Sequence, residues 1–239
     1  MRSKNPRNPA KKRNGKFLSA VAVVFLLASP LSAQENRSSK GRFFLTLSGY
    51  NLSFKGDLSQ ERILWHFEKA FFVPRISPAN GIALGFGYKG ENIFWDLIYL
   101  QSTHNAFLEG VQSTATFHAA DINGKIILWE KFPLQPYILL GISIPWLKVQ
   151  NGAEMFGIVY NAAYYGLGVN LGTGLYAPLG SRIFFNGGII LRLAGFLYAY
   201  GGGKGRDIST MQISYGGPDW GKMMRAPCLC LVLGLGFTL

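Results

Sequence analysis

Charge and cysteine are what this 239-residue sequence has least of. Charged residues make up 15% of it, against roughly a quarter in an ordinary soluble domain. A chain so poor in charge needs some other means of staying out of aggregates. The only two cysteines, Cys228 and Cys230, exclude a disulfide framework. Two positions apart on one side of an extended segment, they are too far apart to bridge without distortion, so inert buried thiols are expected. Acids are missing from the start of the chain, and all 12 follow Ala33.

That opening segment carries its own message. Seven of the 24 Lys and Arg residues fall within positions 1–16, and the uncharged run FLSAVAVVFLLASPLSA follows. A basic stretch, a short apolar stretch and small residues ending at Ala33 describe a secretory signal peptide, residues 1–33. Once it is removed, the net charge falls from +12 to +5. The remaining cations are dispersed, which excludes the clustered basic face of a nucleic-acid binder. Residues 34–42 then read as a lead-in and 43–239 as one domain.

What the chain has in excess is glycine, 30 residues, and aromatics, 14%. Their arrangement is regular. In CLCLVLGLGFTL, residues 228–239, every second side chain is large and apolar, while the alternate ones are mostly small. Strands send successive side chains to opposite faces, so this parity predicts β structure. It recurs in GIALGFGYK, LQPYILLGISIPW, AYYGLGVNLGTGLY and RIFFNGGIILRL, and less cleanly near 43–54, 92–102 and 113–128. Eight segments result, each with one oily face and one face of glycine or polar groups.

The connections between them alternate long and short. The long ones include roughly ten residues around HNAFLEGVQ and a dozen through NGAEMFGIVYN, and the short ones are turns such as KGEN and APLGS. A bacterial outer-membrane barrel sorts its loops this way, with short periplasmic turns and longer outer loops. In hydrocarbon an open sheet edge leaves backbone groups unpaired at several kcal/mol each, so the strands must close. The expected fold is all-β: an eight-stranded antiparallel transmembrane β-barrel, an up-and-down meander with bulky residues outward and small ones inward. On that face assignment, Leu233→Arg should be costly and Gly234→Ser much milder.

In LQPYILLGIS, in YYGLGVNLGTGLYAPLGSRIFFNGGIILRL and in the final GLGFTL, the chain resembles the small OmpA-like outer-membrane β-barrels. The resemblance implies location in the outer membrane of a Gram-negative bacterium, with its lipids and its barrel-assembly machinery as partners. It also implies a C-terminal assembly signal, filled here by Gly234, Phe237 and Leu239. The last residue departs from the family, which usually ends in Phe.

An eight-stranded barrel is filled by its own side chains, which argues against porin-scale diffusion. The inward set includes Lys89, Asp96, Asp121, Lys125 and Arg192, and buried charges need partners, so Asp96 and Asp121 should be answered by Lys125 or Arg192. No metal site or cofactor is indicated. Some enzymes share this architecture, among them lipid A deacylases and a palmitoyltransferase. Ser102, His104 and His118 are the candidates for such chemistry, with His104 expected in a loop, although no His-x-Ser-Asn run of the deacylase kind occurs. SQERILWHFEKAFF, residues 59–72, has apolar residues near helical spacing after a capping serine. It reads either as a surface helix touching lipid or a partner, or as a loop packing its hydrophobics over the mouth. GGGKG near residue 201 reads as a linker, because it lacks the Lys-Ser/Thr ending of a phosphate loop. The function expected is structural or surface-interacting, with any ligand bound through the outer loops. A lipid-modifying enzyme and a narrow pore for small hydrophobic molecules are the alternatives.

Overall fold

The computed structural model describes residues 41–66, 69–108, 111–129, 131–155, 158–203, 206–212 and 224–239. The expected signal peptide and nearly all of the lead-in lie outside these residues, as do Lys204 and Gly205 of the glycine-rich stretch.

Eight long strands form the body. They are β1 (Arg42–Phe54), β2 (Ala79–Lys89), β3 (Ile93–Leu108), β4 (Val111–Ile127), β5 (Gln135–Met155), β6 (Ile158–Pro178), β7 (Ile183–Gly203) and β8 (Cys228–Thr238). Each pairs antiparallel with its sequence neighbours. The ring closes where β8 meets β1, in unbroken register from Phe44↔Thr238 to Phe54↔Cys228. Closure leaves no open edge along the lipid-facing height of the wall, as a strand in hydrocarbon requires.

The outer face is inverted relative to a soluble protein. Leu140 is 62% exposed and its neighbour Leu139 1%. The same alternation holds along β2, β3 and β8. On β5 the outward apolar row runs from Pro136 to Trp146 and stops at Lys148. At about 3.4 Å per residue and a tilt of about 40°, that row rises about 25 Å, the height of a barrel's lipid belt. Exposed aromatics mark both borders. Phe43, Tyr88 and Trp95 lie at the short-turn end, and Tyr99, Tyr165 and Tyr198 at the other. Hydrocarbon is the solvent that this surface matches.

Three expectations are corrected. The ten- and twelve-residue outer connections after β3 and β5 are strand instead, since β3 runs to Leu108, β4 starts at Val111, β5 ends at Met155 and β6 starts at Ile158. His104 accordingly sits in β3, not in a loop. Above the belt the outward residues turn polar, as in the pairs Thr103↔Thr116 and Asn105↔Thr114. The ladder continues regardless, because backbone pairing does not depend on what the side chains face.

The second correction concerns residues 59–72. Their described residues form no α-helix: Arg62–His66 and Lys69–Val73 make an antiparallel hairpin, and Lys69–Phe71 add to the tip of β5 at Ala153–Met155. β4 stops pairing with β5 at Val149, which leaves the edge of that tip open. Ladder hydrogen bonds to the edge outweigh what a short isolated helix could gain.

The third correction concerns the small inward face. Glycines there are seats for large side chains from neighbouring strands. A Cβ on Gly236 would collide with the Phe184 ring, one on Gly87 with Phe44, and one on Gly174 with Tyr137. A Cβ on Gly234 would be equally tight, 2.9 Å from Ser48 Cβ and 3.0 Å from the Leu47 carbonyl oxygen. Gly234→Ser therefore loses its expected mildness.

Candidate functional site: a charged barrel interior beneath a crossing segment

From the short-turn end upward, the interior is built in layers. The lowest is aromatic: Phe44 packs on Phe94 and Phe184, and Tyr176 on Phe94 and Phe184. Lys89 lies among these rings. Its Nζ donates to the Tyr176 hydroxyl at 3.1 Å and sits 5.0 Å above the Phe94 ring.

Next comes Asp96 on β3, whose Oδ2 is 2.5 Å from Lys125 Nζ on β4. Asn123 donates to the other carboxylate oxygen at 2.9 Å, and Asn170 from β6 donates to Asn123 at 3.0 Å. Lys125 also faces the Tyr137 ring at 5.5 Å. Higher still, Arg192 on β7 reaches across the lumen to Asp121 on β4, both side chains almost wholly buried. Its guanidinium lies 5.6 Å from the Phe117 ring and 3.8 Å from Cys230 Sγ. Cys228 and Cys230 are unbridged and buried, their sulfurs 3.6 Å apart.

Four of the five inward charges thus form two ion pairs at successive heights, and Lys89 lies below both. The parity of the strands names these residues as inward, but it does not say which strand faces which across the barrel. Two participants, Asn123 and Asn170, are placed inward by the same parity but, being uncharged, fall outside the expected charge network. An inward Asn at the level of a carboxylate was the signal available. Among the described residues, Asp121 Oδ1, Ser143 Oγ, Asn170 Oδ1, Asn186 Oδ1 and Arg192 Nε have no protein hydrogen-bond partner.

Above the ion pairs lies the serine–histidine pair. Ser102 Oγ and His104 Nε2 are 2.7 Å apart, and His104 Nδ1 donates to the Ser77 carbonyl at 2.9 Å. This is the spacing of a nucleophile and its base. Both side chains are nonetheless buried, at 3% and 1% exposure. Phe54 packs edge-on against the imidazole, and Phe117 against Phe54. The pair is thus packed among rings and ties residue 77 to the wall. His118 is separated from it by the wall itself: it lies on the outer face, bonded to Tyr99 and stacked on Trp146.

Residues 55–78 cross the top. Gly56 starts the crossing with φ +69°, and a Cβ there would sit 2.7 Å from the Arg225 carbonyl oxygen, so the turn needs glycine twice over. Leu58, Val73 and Ile76 are buried beneath it. Asp57 accepts from the Arg225 backbone N–H at 2.7 Å, and Tyr164 donates to the Phe72 carbonyl at 2.8 Å. Residues 59–72 themselves hold a hairpin whose Ile63 is exposed, and the buried Leu58, Val73 and Ile76 lie on either side of that stretch.

The barrel resembles solved structures of the same architecture. It aligns with the outer membrane protein AlkL, determined in lipid bilayers, at 12% identity over 87% of this chain and 94% of that one, with a TM-score of 0.54. A major outer membrane protein from Thermus thermophilus aligns at 9% identity over 82% and 99%, with a TM-score of 0.50. The chain has the fold of the small outer-membrane β-barrels. At these identities the likeness is one of fold. No protein-family model matches the sequence, and no curated protein does. Among the described residues of the barrel, no group of three His, Cys, Asp or Glu side chains is placed to hold a metal ion.

Proposed function

We propose that this barrel is a structural and surface-interacting protein of the bacterial outer membrane, and that its outer end carries whatever it binds. The observation that carries this reading is the occupied interior. Aromatic rings, two ion pairs and the crossing segment follow one another up the lumen, which supports neither a pore nor a buried catalytic centre. What varies freely on such a scaffold is its loop end, here residues 55–78 and the connection from β7 to β8. The C-terminal Gly234, Phe237 and Leu239 serve as the signal to the outer-membrane assembly machinery, with Phe237 and Leu239 on the lipid face.

The test is to express the full precursor in a Gram-negative host and separate its inner and outer membranes. The protein should appear in the outer fraction, migrate faster unheated than boiled in detergent gels, and lose residues near the outer connections when intact cells are treated with protease. In planar bilayers it should give a flat trace. Stable conductance, or recovery in the soluble fraction, would overturn the reading.

A further inference from the structure

The outer wall carries one feature that barrel closure does not require. At the upper border of the belt, Tyr99, His118 and Trp146 from three adjacent strands form a single cluster. The Tyr99 hydroxyl is 2.8 Å from His118 Nδ1. The imidazole lies parallel to the Trp146 ring, 5.1 Å between centroids and 9° between planes, and Tyr99 is 6.0 Å from the same ring. Register sets His118 opposite Trp146 and, one pair higher on the same face, Thr116 opposite Lys148. With the phenol as donor to Nδ1, the neutral imidazole carries its one proton on Nε2 and offers that donor to a ligand.

Lys148 supplies the charge. It is exposed, and no ion pair involves it among the described residues. Along β1, β2 and β3 the corresponding first polar residues above the belt are the uncharged Asn51, Asn80 and Gln101. On the row that continues from β8 the exposed Arg225 is a second cation, but by register Lys148 is the one that stands beside the aromatic shelf. Its height matters as much as its charge, since the apolar row of β5 ends at Trp146 and Lys148 stands where lipid headgroups begin.

We propose that Tyr99, His118, Trp146 and Lys148 form a site for the headgroup of a phosphorylated glycolipid in the outer leaflet. A phosphate oxygen would accept from Lys148 Nζ and His118 Nε2, which are charge-assisted or strong donors. A sugar ring would lie against the exposed part of the aromatic shelf. The inference rests on the outer-membrane reading, and it names one lipid class and the wall sector that holds it.

The experiment uses the refolded barrel in phosphatidylcholine vesicles doped with a bisphosphorylated diglucosamine lipid, extracted in mild detergent and weighed by native mass spectrometry. Wild type should retain one such lipid, and the dephosphorylated lipid should be lost. Lys148→Ser should lower the bound fraction about fivefold, the worth of one cation against an anionic headgroup. Trp146→Leu should lower it as well, while Lys131→Ser, at the short-turn end, should not. Equal retention by Lys148→Ser and wild type would overturn the proposal. So would an equal loss in Lys131→Ser, or displacement of the lipid by inorganic phosphate alone, which would indicate a free-anion site. Heat-shifted gel migration of each variant separates these outcomes from a failure to form the barrel, which would count against the outer-membrane reading itself.

Discussion

Arg192 and Asp121 stand 71 residues apart in sequence, on β7 and β4, and meet across the lumen as a buried hydrogen-bonded ion pair. Removing one partner leaves the other charge without an answer in a medium that cannot solvate it. Asp121→Ala should therefore destabilise the barrel by about 3–5 kcal/mol, whereas the double replacement Asp121→Leu with Arg192→Met should come close to wild type. Urea titration of the barrel in lipid vesicles, followed by gel migration, measures both. An additive double variant would show that the two charges do not act as a pair.

Ser143 lies opposite Asp121 in register, yet its buried hydroxyl has no protein partner. Ser143→Ala removes a polar group that gains little from its surroundings, so it should be neutral or slightly stabilising. The same titration checks it, and a loss of more than about 1 kcal/mol, the net worth of a typical hydrogen bond, would mean that the hydroxyl is satisfied.

Gly234 and Ser48 face each other across the β8–β1 seam. A Cβ on Gly234 overlaps Ser48 and presses on the Leu47 carbonyl oxygen. Gly234→Ala should cost about 1–3 kcal/mol by overpacking, and Ser48→Gly in the same chain should recover part of it. Leu233→Arg should cost about 2–4 kcal/mol if that residue lies near the bilayer midplane, with no recovery from Ser48→Gly. That contrast separates an interior packing fault from an exterior solvation fault.

How much of this was legible in the sequence follows from what alternation reports. Parity along LQPYILLGISIPW places Ile138, Leu140 and Ile142 outward and Tyr137 and Leu139 inward, and the structure agrees, because lipid outside and a narrow lumen inside impose opposite demands on neighbouring residues. Above the belt that contrast fades. Thr103 and Asn105 face water on the outside, so their strands looked like loops. The hairpin at 62–73 was hidden for a related reason. Its partner is the open edge of the β5 tip, and a free edge is a property of the assembled sheet. The glycine seats were hidden because they match side chains on other strands: Gly236 anticipates Phe184 only once β7 and β8 are paired. The inward charges could be named by parity, but pairing Arg192 with Asp121 and not with Asp96 depends on stagger around the closed ring.

His104 and Ser102 tie the crossing segment to β3 through Ser77. His104→Ala should leave the barrel folded and heat-modifiable but raise the rate at which external protease cuts between residues 55 and 78. It should leave the lipid A of expressing cells unaltered. Loss of a lipid-modifying activity on this replacement would assign the pair a catalytic role and contradict its role as a packing tie.

The central claim is that hydrocarbon covers the outward residues, and it can be read position by position. Single spin labels placed at residues 138, 139, 140, 142, 143 and 144 of β5, in a Cys228→Ser, Cys230→Ser background, would be exposed in turn to oxygen and to a water-soluble nickel complex in vesicles. Labels at Ile138, Leu140, Ile142 and Ile144 should collide freely with oxygen and scarcely with nickel, while those at Leu139 and Ser143 should be shielded from both. Ready collision with the nickel complex at the outward positions, or no alternation at all, would contradict the account.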